Sequence, residues 1–162
     1  MNVLHPALSR SCAALIAALA CQTAHADLVG ETLAFERLAP DIVTRFGPAL
    51  TKPTVTVTAG DSDNTSWNAV GLTFLTVMPE ASTITFSFVA NDQFYGGGLA
   101  FNGYKVSGFS TPITAVSLSS DSTTLAPTLT WTTDGVYLNP AGGSFTAPCG
   151  TMVLEFAAAL SS

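Results

Sequence analysis

The sequence predicts an all-β fold: one antiparallel β-sandwich, jelly-roll-like, preceded by a cleaved signal peptide. Three observations carry this. Apolar residues alternate with Thr and Ser at period two in run after run, the mark of strands with one buried face. Clusters of Gly, Pro, Asn and Asp separate the runs at short intervals, as in sandwiches and barrels. A long amphipathic helical pattern is missing throughout the 162 residues.

The first segment, "MNVLHPALSRSCAALIAALACQTAHA", reads as an export signal. Arg10 supplies the positive n-region, and an apolar run extends from Cys12 to Cys21. Ala24-His25-Ala26 gives the small-x-small pattern that a signal peptidase accepts. The run is about ten residues, roughly half a membrane-spanning helix, so no transmembrane anchor is expected. A second cut is conceivable at "ALAC", where Cys21 would be lipidated. Ala18 and Leu19 both depart from the lipoprotein pattern, which favours the cut after Ala26. The domains are therefore 1–26, signal peptide, and 27–162, β-sandwich, secreted or periplasmic; the alternative is a lipoprotein anchored through Cys21.

Cleavage changes the available chemistry. His5, His25, Cys12 and Cys21 all leave with the signal. The remaining 136 residues hold four basic side chains (Arg37, Arg45, Lys52, Lys105) against eleven acidic ones, a formal charge of −7. So acidic a chain offers nucleic-acid phosphates no basic patch and is repelled by anionic lipid surfaces. Without histidine, Ser-His-Asp and Cys-His systems and histidine-bound zinc drop out. No phosphate-cradling or dinucleotide glycine motif is present. A two-carboxylate glycosidase would need two acids facing each other, and the scattered acids give it no support. The expected protein is not an enzyme and has no cofactor beyond a candidate calcium ion.

The elements follow in chain order. "TLAFE" sets Leu33 and Phe35 against Thr32, Ala34 and Glu36. "APDIVTRF" reads as one helical turn or as a loop over a sandwich end. "TVTVT" points Val55 and Val57 inward. "GDSDN" places Asp61, Asp63 and Asn64 at the spacing calcium's oxygen ligands need, although a polar turn closed by its own side chains accounts for it better. "GLTFLTV", 71–77, is apolar enough to lie between two packed faces. In "TITFSFV", Ile84, Phe86 and Phe88 share one face. Alternation returns in "TAVSLS" (Val116, Leu118), "TLTW" (Leu129, Trp131), "GVYL" (Val136, Leu138) and "MVLEF" (Met152, Leu154, Phe156). Cys149, in "APCG", either cross-links two chains or packs as a small buried thiol.

The stretch "ANDQFYGGGLAFNGY", 90–104, crowds four aromatic rings and four glycines into fifteen residues. The alternation before it carries into a turn, and Phe101 and Tyr104 begin the next strand, in the core. Phe94 and Tyr95 are the rings left for the surface. Beside Asn91, Asp92 and Asn102 they would suit a sugar, the ring stacking on its apolar face while amides bond its hydroxyls. These five residues are the candidate glycan site; a structural turn is the competing reading.

"ITFSFVANDQFYGGGLAFNGYKVSGF", "ITAVSLSSDSTTLAPTLTWTTDGVYLNPAGGSF" and "TMVLEF" together resemble the ectodomains of PEP-CTERM proteins, exported by Gram-negative bacteria that make exopolysaccharide. The matching pieces are Phe101-Asn102-Gly103, Ile113 to Leu118 and Asp134 to Asn139. The resemblance implies a β-sandwich associated with the envelope or extracellular matrix, with exopolysaccharide or envelope proteins as partners, and transfers no catalytic residue. Those proteins carry a Pro-Glu-Pro motif, an apolar span and a basic tail. This chain ends "EFAAALSS", so periplasmic or free secretion is expected. The functional expectation is a non-catalytic envelope or matrix protein, with a carbohydrate-binding module as the alternative.

Overall fold

The computed structural model describes residues 25–46, 54–59, 65–69, 72–89, 92–93, 98–123, 125–133, 135–140, 142–145 and 150–158. Their regular elements are all strands: β1 (Thr32–Leu38), β2 (Thr54–Thr56), β3 (Thr65–Ala69), β4 (Leu72–Pro79), β5 (Thr83–Phe88), β6 (Asp92–Gln93), β7 (Gly103–Ser107), β8 (Ile113–Asp121), β9 (Thr128–Thr132), β10 (Gly135–Asn139), β11 (Ser144–Phe145) and β12 (Thr151–Ala158). They assemble into two five-stranded sheets, β2-β1-β7-β10-β9 and β3-β4-β5-β12-β8, while β6 and β11 pair as a small ribbon. Every pairing is antiparallel.

Alternation decides what each sheet buries. Ile84, Phe86 and Phe88 of β5 and Met152, Leu154 and Phe156 of β12 are buried, and the register sets Phe86 opposite Met152 and Ile84 opposite Leu154. Leu33, Phe35, Tyr104, Val106, Val136 and Leu138 come from the other sheet into the same cluster. The rings meet across the interface: Phe35 stands edge-on to Phe86 at 6.5 Å, and Tyr104 lies 6.1 Å from Phe86 and 6.2 Å from Phe88. The two sheets are thus packed face to face through a common apolar layer. A smaller cluster of Leu38, Phe101 and Tyr137 forms on the other face of the first sheet, with Phe101 edge-on to Tyr137 at 6.1 Å.

Several expectations need correction. The strand order is not that of a jelly roll. Consecutive strands pair inside one sheet (β1 with β2; β3, β4 and β5; β9 with β10), whereas a jelly roll passes the chain from sheet to sheet. Trp131 is 42% exposed rather than in the core. It faces inward, opposite Val136, but β9 is an edge strand with a neighbour in the sheet on one side only. In β4, Leu75 and Val77 are buried while Thr76 and Met78 are only half-buried, so this strand alternates like the others and does not lie between two packed faces. Of the two readings of the 39–46 segment, the loop is the one found. Asp41 closes it by accepting from the backbone N–H groups of Val43 (2.9 Å) and Thr44 (2.7 Å).

The residues at the expected cleavage point belong to the fold. Where β5 has ended, His25 bridges Ala157 and Ala26 donates its N–H to the Phe156 carbonyl at 3.0 Å, using the free side of β12. Ala26 and Leu28 are buried.

Candidate functional site

The glycan residues expected from the sequence are only partly in view. Asn91, Phe94 and Tyr95 lie outside the described residues, as do Asp61, Asp63 and Asn64 of the calcium loop, Cys149 and Cys21. Asp92 lies in β6, its backbone opposite Phe145 of β11, so a short ribbon stands where an open turn was expected. Asn102 is 3% exposed, and its backbone N–H donates to Asn139 Oδ1 at 3.1 Å. A side chain so enclosed does not reach a sugar on the surface, so Asn102 is withdrawn from the candidate site. Phe101 and Tyr104 are both buried at the entry to β7, but in different clusters on opposite faces of the sheet, as residues three apart on a strand must be.

Six of the acidic side chains have structural partners. Asp27 accepts from the Val29 N–H, Asp121 from the N–H and hydroxyl of Thr123, and Glu80 from the Thr83 hydroxyl. Glu155 meets His25 Nδ1 at 3.1 Å, and Glu36 meets Arg45. Glu31 is the buried one: its two oxygens accept from the N–H (2.9 Å) and the hydroxyl (2.6 Å) of Ser110. Among the described residues no group of three or more His, Cys, Asp or Glu converges as a metal site would require. Nor does any described helix have the length and apolarity to cross a membrane.

A hollow of about 250 Å³ lies against β8 and β12, lined in part by His25, Ser117 and Glu155. Its two titratable groups bond each other, and one, His25, stands on the leader side of the expected cut.

A better surface lies at the end of β1. Phe46 donates its N–H to the Arg37 carbonyl (2.9 Å), and Arg45 bridges Leu38. Since β7 occupies one side of β1, these two residues run along the other side, in line with β2. Phe46 is 52% exposed. Behind it the guanidinium of Arg37, itself buried, sits 5.3 Å from the Phe46 centroid and 5.0 Å from that of Tyr104. Phe46, Arg37 and Tyr104 thus form a stack leading from the surface into the core aromatic cluster, the cation drawn to both ring faces.

The neighbours of this ring are polar and apolar in turn. Arg45 is bidentate to Glu36 Oε1, through Nε and Nη2, both at 3.0 Å. Ile42 and Val43 are 52% and 80% exposed, so the loop presents contiguous apolar surface. Asp41 has its carboxyl held below the ordinary aspartate range by backbone hydrogen bonds from Val43 and then Thr44, reinforced by the Thr44 hydroxyl. The signal for this site was present in "APDIVTRF", as Asp-x-x-Thr turn chemistry beside a lone aromatic. Nothing local says that Arg37, nine residues upstream of Phe46, would stand behind the ring.

Comparisons with protein-family models, with curated proteins and with solved structures returned no match.

Proposed function

We propose that this protein is an exported, non-catalytic, carbohydrate-binding β-sandwich whose platform is the Phe46 ring in the 39–46 loop. The single observation behind this is a half-exposed aromatic ring fixed from beneath by a buried arginine. A ring held in place on one side and open on the other receives the apolar face of a sugar at little entropic cost. Arg45, Glu36 and Thr44, in or against the same loop, supply donors and acceptors for hydroxyl groups. The net negative charge favours a neutral polysaccharide over an anionic one. The resemblance to PEP-CTERM ectodomains supports export and an exopolysaccharide partner, and the leader-like residues 1–26 support secretion or a periplasmic location.

The test is co-sedimentation of the protein with insoluble exopolysaccharide from its host, with and without calcium, for the natural chain, Phe46→Ala and Tyr95→Ala. Binding weakened at least tenfold, about 1.4 kcal/mol, in Phe46→Ala alone is the expected result. Loss confined to Tyr95→Ala would move the platform to the 90–104 stretch. No binding by the natural chain would sink the carbohydrate reading and leave a structural envelope or matrix protein.

A further inference from the structure

Among the described residues the two sheets have four edge strands, and they differ in how open they are to a further strand. β2 is three residues long. β3 carries a register shift between Trp67 and Asn68. β8 is bulged twice: Ser119 and Thr114 are the extra residues, and their hydroxyls donate to the opposing carbonyls of Val153 (3.2 Å) and Ala157 (3.1 Å). Short length and bulges are the devices that keep edges from pairing with other chains. β9 has none of them. Its five residues, Thr128-Leu129-Thr130-Trp131-Thr132, keep an unbroken register with β10 and carry no charge, proline or glycine. They are β-branched, aromatic or leucine, the residues that favour strand pairing.

This strand is also self-complementary. A two-fold axis through Thr130 would set Leu129 opposite Trp131 of a second copy, Thr128 opposite Thr132, and Thr130 opposite itself. All faces then agree: Leu129 and Trp131 lie opposite the core residues Leu138 and Val136 and so share the inward side, while the threonines share the outward side. The backbone geometry agrees too. A two-residue connection joins Thr132 to Gly135, and such hairpins close on a hydrogen-bonded pair. Pairs two residues further along, through Thr130 and Thr128, are then hydrogen-bonded to β10 as well. The N–H and C=O of Leu129 and Trp131 therefore point to the open edge. Under the proposed axis those two residues face each other across the dyad, and each such pair exchanges both of its backbone hydrogen bonds. The 42%-exposed Trp131 ring would be covered by the second copy's Leu129.

We infer that β9 is a homodimer edge: two copies of this chain join antiparallel through Thr128–Thr132, making one continuous sheet across the dyad. The interface is isologous, so a single substitution at the axis acts twice. Thr130 is exposed on the outward side, so changing it leaves each copy's core alone.

The experiment measures mass by sedimentation equilibrium up to about 1 mM protein, the weak limit of specific association, on the chain as its cell processes it. The natural protein is expected to approach twice the monomer mass, with a blue shift of tryptophan emission as Trp131 is covered. Thr130→Lys and Thr130→Glu, each placing like charges opposite one another, are expected to stay monomeric with unchanged circular dichroism. Mixed in equal amounts, they are expected to regain the double mass. A natural chain that stays monomeric throughout would overturn the inference, as would a dimer that both substitutions leave intact.

Discussion

Glu31 offers a sharp test of how the sandwich end is held. It precedes β1, its carbonyl accepts from the Val57 N–H at 2.9 Å, and its carboxylate holds the loop after β7 through Ser110. Removing the carboxylate with Glu31→Ala deletes two charge-assisted hydrogen bonds, each about 1.5–3 kcal/mol when its partner cannot be resolvated. Ser110 is exposed, so water takes over part of the loss. A net cost of about 2 kcal/mol follows, a sizeable share of the 5–15 kcal/mol typical of a domain. In urea unfolding, at about 2 kcal/mol per molar, that lowers the midpoint by about 1 M with the slope unchanged.

The cycle with Ser110→Ala separates this from a packing effect. Ser110→Ala removes the hydroxyl bond at 2.6 Å and leaves the N–H bond. Because the two changes share that bond, the double variant should fall short of the summed single costs by about 1 kcal/mol. If the two costs add to within about 0.3 kcal/mol, the carboxylate is not stabilising the loop through the Ser110 hydroxyl and the reasoning fails.

Other consequences are equally direct. Phe86→Ala removes the ring that meets Phe35 and Tyr104 across the two sheets and should cost about 3–5 kcal/mol, read from chemical denaturation. Gly135→Ala should cost about 2 kcal/mol or more, because φ is +149° and a Cβ there would run into the Val106 carbonyl. Gly98→Ala, with a positive φ but open space around it, should cost only about 1 kcal/mol, and thermal melts compare the two. Asp41 has a lowered folded-state pKa, so its contribution to loop order is present above the ordinary aspartate value and is lost as pH falls through the lower, folded value. In an acid titration the amide resonances of Val43 and Thr44 should move together below that ordinary value; movement at or above it would contradict the turn geometry.

The sequence alone determined which face of most strands is buried. In Thr83–Phe88 the period-two pattern set Ile84, Phe86 and Phe88 inward, and in Thr151–Ala158 it did the same for Met152, Leu154 and Phe156, because side chains on a strand must alternate whatever the strand pairs with. It did not determine which strands are neighbours. That choice rests on contacts between residues far apart in the chain, such as Arg37 with Tyr104, and it placed β9 at an edge. Trp131, which the same alternation sent inward, consequently has a sheet on one side only. Asn102 became buried for a related reason: a residue from β10, Asn139, meets it from a distant part of the chain. Phe46 shows the limit most clearly. Its turn chemistry could be read locally, but its standing as a fixed, half-open ring depends on a buried cation set between it and the core, and only the assembled sheets bring those three side chains together.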